Sequence, residues 1–400
     1  MNSSTDRLKH RKGSRKLTLI GEDGASLKNQ EVCVRQTKHK FLFGCSEFSA
    51  LQLANNELQG AQKEITEERF RLFFELFNYT TLPFYWGRFE PVKGKPDILR
   101  MKKASEWLTA NGCKLKGHPL CWHTGTAPWL MEMSNKDILT TQLNRIRRDV
   151  SGFAGLIDIW DVINEVVIMP IFDKYDNGIT RICQELGRIR LCREVFSAAK
   201  KANPDATLLI NDFWLDESYD ILIEGLLEAG VPIDAIGIQT HMHQGYRGVE
   251  YMQELLHRYS RFKLPIHFTE NTIVSGDIMP PEITDLNDFV ADEWPSTPDG
   301  LERQALEITM HYKSLFEDPN VESITYWGFI DGGWLKAPSG FVTADSRIKP
   351  SYEALRKLIR DEWWTKPMKL TTDDTGSVTV SGFLGEYEAE CRGNITHFTL

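Results

Sequence analysis

The stretch IDIWDVINEVV, residues 157–167, reads as a β-strand of alternating apolar side chains whose tip carries an adjacent amide and carboxylate, Asn164 and Glu165. Seven further stretches share that build. FLFGC (41–45), NYTTLPFYW (78–86) and KLKGHPLCW (114–122) precede it, and ATLLINDFW (206–214), AIGIQTHM (235–242), LPIHFTEN (264–271) and SITYWGFID (323–331) follow. Amphipathic helical patterns separate them, among them DILRMKKASEWLTANG, RIRLCREVFSAAKKANP and LERQALEITMHYKSLF, and several close at Asn-Gly, Asn-Pro or Ala-Gly pairs that stop a helix. Strands joined by helical crossovers lie parallel. Eight such units over about 320 residues predict an α/β fold of the (β/α)8 TIM-barrel type. A doubly wound open sheet fits less well, because no Gly-rich phosphate loop follows the first strand.

The chain of 400 residues, 41% hydrophobic and 26% charged, has room for one barrel and a small appendage and is not disordered. The barrel is assigned to residues 41–363. On either side, residues 1–40 and 364–400 carry short alternating strands punctuated by Asp-Gly and Thr-Gly turns. Neither end can bury a core alone, so the two are expected to pack together as one small β module. The net charge of −9 is spread over mixed signs and disfavours a nucleic-acid partner. The basic run RLKHRKGSRK, residues 7–16, reads as a solvated tail. No apolar run approaches a membrane span and no leader is recognisable, so the address expected from the sequence as it stands is cytoplasmic, with no membrane partner. Seven cysteines without a CxxC pair read as reduced core residues.

In a barrel of this type chemistry is built at the C-terminal strand ends, and those ends can be read off. The second strand offers Tyr85 and Trp86, the third His118, Trp122 and His123, and the fourth Asn164 and Glu165. The fifth offers Asn211, Asp212 and Trp214, the sixth Gln239, His241 and His243, the seventh Glu270 and Asn271, and the eighth Trp327, Asp331 and Trp334. Two carboxylates ringed by indoles suggest glycoside hydrolysis, in which one carboxyl protonates the leaving oxygen and the other stabilises or attacks the anomeric carbon. Indole faces suit pyranose C–H edges, and Asn, Gln and His suit hydroxyls. The competing reading is a metal centre, since QTHMHQ holds a His-x-His and two more His lie on the third strand. A metal-dependent barrel hydrolase wants His-x-His on the first strand, His on the fifth and sixth, and Asp on the last, and only Asp331 sits where that scheme needs it. Neither a metal nor any other cofactor is therefore expected.

The pieces GHPLCWH (117–123), WDVINE (160–165), LLINDF (208–213), IDAIGIQTHM (233–242), HFTE (267–270) and YWGFID with Trp334, in this order, resemble glycoside hydrolase family 10, the xylanase family of retaining barrel glycosidases. The resemblance runs from about residue 41 to 355. It implies an oligosaccharide or polysaccharide substrate of xylan type, Glu165 as acid/base and Glu270 as nucleophile. It further implies that Asn164 holds the sugar 2-hydroxyl, that His241 and Gln239 lie beside Glu270, and that His118, Trp122, Trp327 and Trp334 wall the reacting-sugar subsite. His123 is read as a polar partner in the same pocket.

Two departures from the family pattern stand out. Where members usually carry a Glu-Asn pair and a Lys at the end of the second strand, TTLPFYW places Thr81, Leu82 and Tyr85, and the Gln of Trp-His-Ser-Gln becomes Gly125. The polar contacts of the neighbouring glycone subsite are lost. The Asp that would orient His241 is replaced by Thr272. The expectation is a retaining β-glycosidase of altered specificity, attacking short or decorated oligosaccharides; the non-enzyme alternative is a barrel that only binds carbohydrate or protein. Trp294 reads as a loop anchor or a sugar platform, and Arg88 as paired with Glu90 or a helix residue, or as facing an acidic sugar.

Overall fold

The computed structural model describes residues 7–400. Among these described residues fourteen strands run in chain order. Two precede the barrel, β1 (Lys12–Thr18) and β2 (Glu31–His39). The barrel strands are β3 (Leu42–Cys45), β4 (Tyr79–Pro83), β5 (Lys114–His118), β6 (Ile159–Asn164), β7 (Thr207–Asp212), β8 (Ala235–Met242), β9 (Ile266–Ile273) and β10 (Val321–Tyr326). Four follow, β11 (Met368–Thr371), β12 (Ser377–Phe383), β13 (Gly385–Cys391) and β14 (Asn394–Thr399). Strands β3 to β10 close into a parallel barrel in sequence order, with β10 beside β3. This is the (β/α)8 architecture that the sequence predicts.

Several predicted strands end early, and the causes are local. The stretch NYTTLPFYW is extended only to Pro83; Tyr85 starts a single helical turn, Trp86–Phe89. The third strand stops at His118 because Pro119 has no N–H to continue the ladder. Beyond it only Cys121 returns to pair with Ile163. The crossover helices, such as Ile98–Ala110, Asn135–Gly152, Arg188–Ala202 and Pro298–Phe316, bury one face each against the barrel. Inside the barrel floor, Tyr79, Ile159, Leu209 and Ala235 form a separate small core from four strands.

The terminal strands do meet. β1 pairs antiparallel with β12, and β2 lies between β11 and β13 in a sheet that ends with β14. Leu17, Val32, Val34, Val380, Tyr387 and Phe398 fill the core between these sheets. Phe383 leaves that module and joins the barrel core, where Trp363 stacks on Phe316 with ring centres 4.2 Å apart. The basic run is no solvated tail, contrary to its expected role. Lys12–Thr18 is strand β1, and the Arg11 guanidinium donates to the carbonyls of Phe316, Asp318 and Val321 at 3.0, 2.6 and 2.7 Å and lies over Phe41. Six cysteines are buried as free thiols, and Cys33 instead sits exposed on the outer face of β2. Among the described residues no helix is long and apolar enough to cross a membrane.

Candidate active site

Strict alternation along β6 and β9 would not build this site. A residue is inserted on β6 between Asp161 and Ile163, and another on β9 opposite the step from Ile238 to Gln239. Such bulges re-aim side chains at barrel rims. On β6 the extra residue lets Asp161 and Asn164, three apart, both reach the interior. On β9 it lets the neighbours Thr269 and Glu270 both turn inward, where each bonds Asn211.

Asn211 is the hub. Its Nδ2 donates to Glu270 Oε1 at 3.0 Å and to Asn164 Oδ1 at 2.8 Å, and its Oδ1 accepts from Thr269. Gln239 Nε2 donates to Asn164 Oδ1 at 3.0 Å and reaches Glu165 Oε1 at 3.4 Å. Glu165 follows directly on β6 in a left-handed backbone conformation, φ 56°, unusual for a residue with a side chain and typical of constrained functional positions. Its N–H bonds the Asn211 carbonyl at 2.8 Å, which holds that conformation. Trp122 Nε1 donates to Glu165 Oε2 at 2.7 Å.

The two carboxyl groups are held in opposite protonation states. Burial, followed by the charge of Glu270, pushes Glu165 up to about 8. Burial works against ionisation of Glu270 too, but the neighbouring His118, the hydrogen-bonding His241 and the charge of Lys116 overcome it and hold Glu270 below the ordinary carboxylate range. His241 Nε2 stands 3.3 Å from Glu270 Oε2, and its Nδ1 is 3.3 Å from Thr272 Oγ1, so a hydroxyl occupies the orienting position. Beneath, His118 Nδ1 lies 2.7 Å from Asp161 Oδ2, and Lys116 Nζ is also 2.7 Å from that oxygen; all three side chains are buried.

Aromatic rings complete the pocket. Tyr85 lies 5.8 Å from His118 and 5.7 Å from Trp122, ring centre to ring centre. Burial, then the charges of Glu270 and Glu165, push its phenol well above the ordinary range. A Cβ on Gly125 would touch the Tyr85 Cβ at 3.7 Å, so Tyr85 fills ground that a longer residue at 125 would contest. Trp327 stands 5.2 Å from His118 and Trp334 4.7 Å from His241.

Ten of the eleven site residues named from the sequence gather around the two carboxylates, Glu165 and Glu270 among them. His123 does not join them: it is buried against Phe172 at 4.5 Å and bonds no member of the cluster. His243 is buried between Trp294 and Trp334. Trp294 is an anchor, its Nε1 on the Asp277 carbonyl at 2.8 Å. Glu90 pairs with Arg148 at 2.8 Å, leaving Arg88 exposed. Asp331 pairs with Lys349 at 2.8 Å, and Asp212 accepts from the backbone of Val167 and Trp214. Among the described residues no three of His, Cys, Asp and Glu are placed to share a metal. The sequence reading assigned no role to Lys116 or Asp161. The signal was present, since Lys116 stands two residues before His118 and so on the same strand face.

The model of glycosyl hydrolase family 10 matches residues 53–358. An endo-1,4-beta-xylanase B from Thermotoga neapolitana is 29% identical over 297 residues, covering 69% of this chain and 78% of that one. Endo-1,4-beta-xylanase 2 from Arabidopsis thaliana is 23% identical over 94% of this chain, which spans 32% of that protein. In solved structures, xylanase 10B from Thermotoga petrophila, in complex with xylobiose, superposes with a TM-score of 0.65 over 81% of this chain and 95% of that one, at 22% identity. With the matched model covering most of its length, the chain belongs to glycosyl hydrolase family 10 and is a glycoside hydrolase.

Proposed function

We propose that this chain hydrolyses β-linked xylan-type or related plant oligosaccharides by a retaining double displacement, with Glu165 as acid/base and Glu270 as nucleophile. The observation that carries this reading is the opposed protonation of the two carboxyl groups within one hydrogen-bonded cluster. Glu165 donates its proton to the glycosidic oxygen as Glu270 attacks the anomeric carbon and the leaving sugar departs. Glu165 then takes a proton from water, whose oxygen displaces Glu270. Asn164, held by Asn211 and Gln239, is placed to bind the sugar hydroxyl beside the reacting carbon. His118, Trp122, Trp327, Trp334 and His241 line the reacting-sugar subsite.

The specificity differs from a mid-chain xylanase in this reading, because Tyr85 and Gly125 replace polar contacts to the next glycone sugar with an aromatic wall. Chromatography of the products of linear xylohexaose tests it. Slow attack that releases end products is expected; rapid mid-chain cleavage to xylobiose and xylotriose overturns the altered specificity. Glu270→Ala separates catalysis from mere binding: loss of turnover with sugar binding retained supports the enzyme.

A further inference from the structure

Most of the glycone walls, Tyr85, His118, Trp122 and Trp327, come from β4, β5 and β10 and the segments that follow them, with His241 of β8 at their border. On the glycosidase reading the leaving group therefore departs over the opposite rim, centred on β7. Directly after β7 stand Phe213, exposed, and Trp214, half-buried. The loops after β6 and β9 flank this exit, and they are joined across it. Lys174 Nζ lies 2.7 Å from Asp285 Oδ2 and 2.6 Å from Asp288 Oδ1.

Each side of that bridge is held independently. On the β6 side, Phe172 packs on His123 and on Tyr175, and the Tyr175 phenol faces the Gly125 backbone amide, next to Tyr85. On the β9 side, Val274, Met279, Trp294 and Ala337 form a small core of their own. Gln244 ties that loop to β8 through the Pro280 and Ile283 carbonyls at 2.9 and 2.8 Å, and Lys336 ties it to the β10 loop through the Asp292 carbonyl at 3.0 Å. Asp285 is pre-set as well, its Oδ1 accepting the Asn287 N–H at 2.8 Å and leaving Oδ2 for Lys174.

We propose that the bridge from Lys174 to Asp285 and Asp288 is a specificity device that closes the leaving-group side of the cleft and restricts the substrate to glycosides with short leaving groups. An open trough accepts a polymer lying across it, whereas two joined loops leave a passage for a small group. The proposal rests on the glycosidase reading above and narrows its substrate class. All three side chains are partly solvated, so the closure weakens with added salt.

The test compares kcat/KM on xylohexaose with kcat/KM on 4-nitrophenyl β-xyloside, for wild type, Lys174→Ala and the double variant Asp285→Asn with Asp288→Asn. Opening the bridge raises the long-to-short ratio about fivefold in either variant, the factor set by an exposed ion pair. In 1 M NaCl the wild-type ratio rises toward that of the variants, whose ratio stays constant. A ratio unchanged in both variants, with the aryl xyloside still cleaved, overturns the bridge and leaves the glycosidase reading standing. A wild-type protein silent on every β-glycoside overturns that reading and the bridge with it.

Discussion

Glu165 and Glu270 differ in what surrounds them rather than in what they are. Glu165 meets burial and a second carboxylate, which outweigh the indole N–H donated to it, and keeps its proton to about 8; Glu270 meets two imidazoles and a buried ammonium, and loses it. Glu270→Ala is expected to lower kcat by at least about a thousandfold, measured on an aryl β-xyloside. Glu165→Gln is expected to lower kcat/KM about a hundredfold or more on a sugar leaving group and far less on a dinitrophenyl one, whose departure needs no proton, while kcat falls on both because the second step loses its base. On the proposed acid/base role the same group is expected to set the alkaline limb of the pH profile, with wild-type kcat falling as pH rises through about 8 and the Gln variant lacking that limb. Stability follows the same proton. Between the ordinary carboxylate range and about 8 the folded state holds a proton that the unfolded chain releases, so stability declines as pH rises across that window. Glu165→Gln should flatten the decline in a series of thermal melts.

Among the elements, β5 and β6 carry a supporting layer beneath the site. Asp161 on β6 meets Lys116 and His118 on β5, with Lys116 and Asp161 excluded from solvent. Burial disfavours the Asp161 carboxylate, but Lys116 and His118 more than offset this and hold it below its ordinary range. Removing one partner of a buried pair strands the other's charge. Asp161→Asn is therefore expected to destabilise the protein by about 3 to 5 kcal/mol in urea unfolding. Adding Lys116→Met should recover most of that loss; no recovery would show that the cost lies elsewhere. Because His118 touches both Asp161 and the Glu270 environment, the single variant should also alter the acid limb of activity.

At the scale of the whole molecule, the terminal β module is joined to the barrel through Phe383, a residue of β12 buried with Phe316 and Trp363. Phe383→Ala is expected to cost about 3 kcal/mol by urea unfolding, with kcat on an aryl xyloside unchanged, because the cluster lies away from the carboxylates. The eight strands and the positions of Glu165 and Glu270 were legible in the sequence, because apolar periodicity and strand-end polarity are local properties of the chain. The resemblance to the family supplied their roles. The two bulges were not legible, since an extra residue on β6 or β9 is defined only by the partner strand it slips against. Nor were the fate of His123, whose partner Phe172 lies on a different loop, or that of the basic run, which docks against Phe41 and Phe316 over three hundred residues away in part. What the sequence alone determined is the barrel and the chemical inventory at its rim. Only the tertiary structure decided what holds the proton on Glu165 and off Glu270 and which loops join across the cleft, because burial and through-space charge depend on neighbours that the chain brings together only by folding.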